Sequence, residues 1–248
     1  MHGLKLGLTA AAISALVAAP AFAQTQLPSA KATFAYNPLI ALQTDCRSPG
    51  CSADSDWQIV LRQQLKLANQ KDLFLGVSLQ SGIVTDTTVK SLNGSDDTAE
   101  ARATIRVRVK LTAPDGTVSY AEPRTGVDAN NNVGDGIVFA DRIQTLRARF
   151  SGLNCTANLL AGGVVTCATP EELQLILKTL NANAFNFVAP NCVSGVYTID
   201  VQARTSANVS SIGTNGSLGA ANAFIGAGSM SVEETRMIKG NTGTTLAF

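Results

Sequence analysis

The sequence predicts an all-β domain, mainly antiparallel, of the β-sandwich or jelly-roll-like kind, carrying one short amphipathic helix. Three observations lead there. Residues 99–111 alternate apolar residues with charged or polar ones without a break. Short apolar runs recur between turns rich in Gly, Asn, Asp and Pro. Only the stretch from Thr169 carries both a helix start signal and a helical spacing of its apolar residues.

The chain opens with an export pattern. Lys5 precedes an apolar run from Leu6 to Ala19, Pro20 breaks it, and Ala21-Phe22-Ala23 supplies the small-x-small cleavage site. Residues 1–23 therefore read as a secretory signal peptide rather than an anchor, because the run is short and ends in that site. No Cys follows the cleavage point to carry a lipid. The mature protein is expected outside the cytoplasm, in the periplasm, at the cell surface or in the medium. Loss of Lys5 with the signal balances the chain's 19 basic against its 18 acidic residues. That balance gives no general reason to expect nucleic acid or an anionic membrane as partner. No later segment is apolar and long enough to span a bilayer as a helix.

Residues 24–44 are expected as a loose N-terminal segment with one strand around Ala32–Tyr36. Residues 45–240 form the sandwich, and 241–248 a flexible tail. Trp57, Ile59, Leu61, Leu65 and Leu67 alternate with polar residues. Trp57, Leu61 and Leu65 also fit a helix, but Leu73–Leu79 after the Asn69–Asp72 turn looks like a hairpin partner, which favours a strand. Both faces of Leu73–Leu79 are apolar, as in a central strand. Ala99–Leu111 is the clearest strand, with Arg102, Arg106, Arg108 and Lys110 on its wet face. Pro114-Asp115-Gly116 then turns the chain into Thr117–Ala121. Beyond the Gly- and Asn-rich loop 122–136, strands are expected at Gly136–Ala140 and Ile143–Gly152, with a hairpin around Gly162-Gly163.

Thr169, Pro170 and Glu172 read as N-cap, N1 and N3 of a helix with a capping box. Leu173, Ile176, Leu177 and Leu180 would share its buried face. Strands resume at Phe185–Ala189 and Gly195–Thr205, a long turn covers Ser206–Gly219, and Ala220–Gly226 with Ser229–Ile238 makes a closing hairpin.

The five cysteines are Cys46, Cys51, Cys155, Cys167 and Cys192. In an oxidising compartment, Cys46 and Cys51 around Arg47-Ser48-Pro49-Gly50 form the natural local bridge. Cys155, Cys167 and Cys192 then offer one bridge and one spare thiol. The single His is His2, inside the signal, so the mature protein has no imidazole for general-base work or metal ligation. No cofactor is implied. Asp128-x-Asn130-x-Asn132 opens like a Ca²⁺ loop but has Val133 where Gly is needed and Phe139 where Glu is needed. An Asn-rich turn is the expected outcome over a looser Ca²⁺ site using Asp135 as well. Arg142, Arg147 and Arg149 would extend the Arg102/Arg106/Arg108/Lys110 face into a basic stripe if their strands are neighbours. A solvated, ion-paired face is the commoner fate of such a stripe.

The motifs Lys71-Asp72-Leu73-Phe74, Thr169-Pro170-Glu171-Glu172-Leu173, Asn181–Asn186, Ser231-Val232-Glu233-Glu234 and Ile238-Lys239-Gly240 resemble an uncharacterised family of exported prokaryotic β-rich proteins. The resemblance spans most of the mature chain and implies no activity or catalytic residues. The functional expectation is a non-catalytic exported β-sandwich, acting as a surface or envelope binding module or as a structural assembly subunit. Its partner would be another copy of itself or a cell-surface polymer. The rival is a carboxylate-dependent glycan hydrolase, for which the chain has carboxylates but only one Trp to stack a sugar. A small outer-membrane barrel ending at Phe248 is a third reading, opposed by the expected helix.

Overall fold

Period-two alternation governs the chain from residue 32 onward, and every regular element among the described residues is a strand. The computed structural model describes residues 31–39, 42–92, 95–124, 136–150, 155–158, 164–167, 171–213 and 216–237. In chain order the strands are β1 (Ala32–Asn37), β2 (Leu42–Cys46), β3 (Ser52–Asp54), β4 (Gln58–Leu67) and β5 (Lys71–Ser91). Then come β6 (Asp97–Thr112), β7 (Val118–Tyr120), β8 (Ile137–Ala148), β9 (Cys155–Asn158) and β10 (Val164–Cys167). The long β11 (Glu171–Cys192), β12 (Gly195–Ile212) and β13 (Leu218–Thr235) finish the fold.

Two antiparallel sheets result. Sheet I runs β1-β13-β5-β11, with β2 beside β1 on the same edge of β13. Sheet II has β12 and β6 at its centre; β3 and β4 flank β12, while β7 and β8 flank β6. Strands β9 and β10 pair only with each other. Among the described residues each sheet keeps its own end strands, linked at the Glu122–Val188 bridge, so the arrangement is a sandwich.

The sandwich closes because the inner faces are mainly apolar. Leu73, Leu75, Val77, Leu79 and Ile83 of β5 and Ala221, Ala223, Ile225, Met230 and Val232 of β13 face Ala103, Ile105, Val107, Val109, Ile199 and Val201 across one continuous core. Burial of this apolar surface is the main favourable term in folding. A polar strut centred on Gln144 crosses the gap. The Gln144 side chain of β8 accepts from Thr85 Oγ1 (2.5 Å) and donates to Thr87 Oγ1 (2.6 Å) and to the Leu175 carbonyl (2.7 Å). The predicted Pro114-Asp115-Gly116 turn forms as read, with the Gly116 amide donating to the Ala113 carbonyl and Gly116 at φ +85°.

The principal correction concerns the helix expected from Thr169. Residues 171–192 are strand β11, paired with β5 in unbroken register from Glu171↔Ser91 to Ala189↔Leu73. Leu173, Leu175 and Leu177 also alternate, and β5 offers them an open ladder along its whole length. Residues 80–91, expected beyond the end of β5, are the half of that ladder that receives residues 171–182. A three-turn helix, by contrast, satisfies only its own backbone and depends on docking for its stability. Three expected turns are also strand. Ile137–Ala148 is one strand through Asp141-Arg142. Strand β12 runs on to Ile212, because Ala207 and Val209 keep pointing inward while Asn208 and Ser210 face solvent. At Gly226–Gly228 the chain makes a bulge, with Ile225 opposite Ser81 and Gly228 opposite Leu79, instead of a hairpin. The segment read as loose contributes β1, at the place expected, and most of β2. The 162–163 hairpin tip, the Asp128–Asp135 Ca²⁺ candidate and the tail lie outside the described residues.

Candidate functional site: an ion-paired sheet face and an open strand edge

The basic residues of β6 do share one face, and β8 does lie beside β6. Their surroundings engage several of them, and Arg102 is ion-paired. Arg102 donates to Asp141 through Nε (3.3 Å) and Nη2 (3.0 Å), and Thr104 Oγ1 donates to the same carboxylate (2.6 Å). Partial burial works against ionising Asp141, but the hydrogen bonds from Arg102 and Thr104 outweigh it and hold this carboxyl below the usual range. The hydrogen bond with Asp141, then its charge, raises the Arg102 guanidinium above its ordinary value. Arg108 lies between two rings, 4.1 Å from the Trp57 centroid and 4.9 Å from that of Tyr120, and donates to Gln202 Oε1 (2.8 Å). Lys110 stands opposite Asp200, which binds Arg62 of β4 in a two-point contact of 2.6 and 3.0 Å.

Beyond Arg108, Arg106 of β6 sits directly opposite Arg204 of β12. Sequence reasoning missed Arg204; its signal was its place on the polar side of the alternation in 195–205. Arg204 lies 3.4 Å from Asp54. Arg102, Thr104, Arg106, Arg204, Asp54 and Glu100 line a shallow groove of about 400 Å³ on this face. The stripe does not extend as expected through β8. Arg142 is opposite Ala103 on the inner face and donates to Thr179 of β11, while Arg147 pairs with Asp96 at 3.0 Å.

The two carboxylates that line the groove come from separate strands. Asp54 is beside Ser206 and Glu100 beside Ser210, on opposite sides of β12. Strand geometry puts their Cα atoms about 16 Å apart. Glu100 accepts from Thr145 on the side away from Asp54. Catalytic carboxyl pairs stand about 5–9.5 Å apart. Among the described residues no cluster of His, Cys, Asp and Glu is arranged for a metal.

The cysteines divide as expected at one point: Cys46 and Cys51 are bridged. Cys192 is a buried free thiol, pushed up to about 11 by its burial and then by the charge of Asp72. The backbone register of β9 and β10 puts Cys155 directly opposite Cys167.

The second feature is an edge. Three of the four sheet edges are assembled from two strands each, β1 with β2, β3 with β4, and β7 with β8. The fourth is β11, 22 residues long and carrying Lys178 as its sole charge after Glu172. Near its end it is covered, since the Val188 amide and carbonyl exchange 2.7 Å hydrogen bonds with Glu122. Because backbone groups alternate direction along a strand, the even-numbered residues from Glu172 to Asn186 aim theirs outward like Val188. Among the described residues no strand pairs with them. Leu173, Leu175 and Leu177 lie on the inner face beside Val89, Thr87 and Thr85, yet remain 43, 40 and 41% exposed. Ile176 and Leu180, assigned to the same helix face as Leu173 and Leu177, lie on the opposite face and are exposed.

No family model matches the chain, and no curated protein matches it. Among solved structures, the Gt strain of infectious bursal disease virus aligns over 83% of this chain and 42% of that one, at 10% identity and a TM-score of 0.17. The Gx strain of the same virus aligns over 84% and 42%, at 9% identity and a TM-score of 0.16. The chain thus spans less than half the length of either, and the superposition is too poor to bear on fold or function.

Proposed function

We propose that this protein is an exported, non-catalytic β-sandwich that works through its surface, as a structural subunit of an envelope or extracellular assembly. The observation that carries the reading is the open edge of β11. A long strand edge with few charges is what folds ordinarily shorten, charge or cover, and it is also the surface that strand addition uses. Export is supported by the signal pattern of residues 1–23 and agrees with the Cys46–Cys51 bridge. The lack of any His beyond His2, and the wide separation of Asp54 and Glu100, support the non-catalytic part.

A second reading, a module for a carboxylated or sulfated surface polymer, is favoured by one detail. Arg102, Arg106 and Arg204 converge on one shallow groove, a concentration of guanidinium groups suited to carboxylate or sulfate. Sedimentation of the secreted chain, alone and with anionic glycans at low and high salt, tests both. Assembly through an edge persists at high salt, whereas polymer binding by arginines fades as charges are screened. A monomer without polymer affinity that turns over glycans would sink the non-catalytic reading.

A further inference from the structure

We infer that the partner of the β11 edge is a second copy of the same edge, joined antiparallel about a two-fold axis at Leu175. The inference rests on the assembly reading above and names its partner. In an antiparallel self-pairing centred on Leu175, Glu172 of each copy stands opposite Lys178 of the other, and Leu173 opposite Leu177. Gln174 stands opposite Ile176. Thus the two charged positions flanking the apolar run complement each other twice. A pairing centred on Lys178 would instead set two ammonium groups together.

The backbone agrees with this register. Glu172, Gln174, Ile176 and Lys178 all direct their amide and carbonyl groups away from β5, so the pairs 172/178 and 174/176 become hydrogen-bonded pairs. Leu175 then meets its own copy at a non-hydrogen-bonded position, where side chains approach closest. The side chains agree as well. Leu173, Leu175 and Leu177 share the inner face, where Gln144 of β8 bonds the Leu175 carbonyl and each leucine is left about two-fifths exposed. Pairing two copies sets both leucine triplets in one continuous row. It also explains why this edge, unlike the other three, keeps a long apolar strand. The dimer is isologous: one surface patch meets itself and closes, which caps the edge and prevents open-ended growth.

The test is sedimentation equilibrium of the full secreted chain, with circular dichroism confirming the fold of each variant. Wild type should dimerise. Ile176→Pro removes an outward amide while leaving the ladder to β5 intact, so it should be monomeric with a native spectrum. Lys178→Glu should weaken the dimer about ten-fold, since it turns two attractive cross-strand pairs into two repulsive ones. Glu172→Lys should do the same, and also loses a 3.3 Å contact with Lys90 of its own chain. The double variant E172K/K178E should recover most of the loss, which no purely structural effect would produce. A dimer indifferent to Ile176→Pro, or a double variant weaker than both singles, overturns the β11 register while leaving surface assembly standing. A monomeric wild type that still binds an envelope component likewise overturns self-pairing alone. A monomer with no partner of any kind overturns both.

Discussion

Gln144 is the polar group whose removal should reveal most about how the sheets are joined. Its amide serves Thr85, Thr87 and the Leu175 carbonyl at 2.5–2.7 Å, and the two threonines are 0% exposed. In Gln144→Leu the Leu175 carbonyl keeps its ladder partner on β5, but both hydroxyls lose theirs. Strand β5 lies between β11 and β13, so its backbone is already paired on both sides and has little to offer them. A buried hydroxyl left without a partner costs about 1–3 kcal/mol, so the single substitution should destabilise by about 3 kcal/mol. Removing the hydroxyls together with the amide, in Q144L/T85V/T87V, should return stability to within about 1 kcal/mol of wild type, because no polar group is then stranded. Urea titrations followed by the fluorescence of Trp57 measure both, with an unchanged dependence on denaturant showing that the transition itself is the same. A Gln144→Leu variant as stable as wild type, or a triple variant as damaged as the single, would refute the strut.

Phe187 is 1% exposed in the core whereas Leu177 is 41% exposed, so Phe187→Ala should cost about 3–5 kcal/mol and Leu177→Ala no more than about 2 kcal/mol in dilute denaturant melts. Equal losses would restore the buried-face assignment of Leu177 that the helix reading made. Unfolded without reductant, the secreted chain should titrate one thiol, Cys192, because Cys155 opposes Cys167 in register; peptide mapping that finds those two alkylated would contradict it. Opening the Cys46–Cys51 loop by Cys46→Ala should cost on the order of 2 kcal/mol, as expected for so short a ring. The Cys192 thiol ionises only near pH 11 in the folded chain, so folding retains its proton above the ordinary thiol value. Its contribution to stability should be complete below that value and fall as the pH rises toward 11; a Cys192→Ser variant should lose this slope in alkaline denaturation.

The strands that could be read in advance were those whose partners are written into their own alternation. Strand β6 has Ala101, Ala103, Ile105, Val107 and Val109 inward and charges outward, and it runs where the pattern said, with the Pro114–Gly116 turn after it. The bridge between Cys46 and Cys51 was equally legible, because a four-residue loop with a Pro-Gly turn brings two thiols together without help from the rest of the fold. Of the basic face, Arg102, Arg106, Arg108 and Lys110 were placed together by period two. The ion pair of Arg102 with Asp141 and the seat of Arg108 against Trp57 and Tyr120 depend on strands brought alongside from elsewhere in the chain.

Other elements were ambiguous in the amino acids themselves. Residues 169–180 satisfy a helix start and a helical stripe as well as they satisfy alternation, and local propensity is a weak prior when a strand of matching length stands open. Gly226 and Gly228 announce an irregularity, but a bulge and a turn ask for the same residues. Composition, alternation and local turn chemistry thus determined by themselves the β class, the inward set of side chains and the local bridge, since these depend on neighbours within a few positions. Which strands meet, where the arginines find their carboxylates, and that no described strand pairs with the outer edge of β11 before Val188 were decided by the tertiary structure. These are properties of residues tens to more than a hundred positions apart, and nothing in either segment alone specifies its distance from the other.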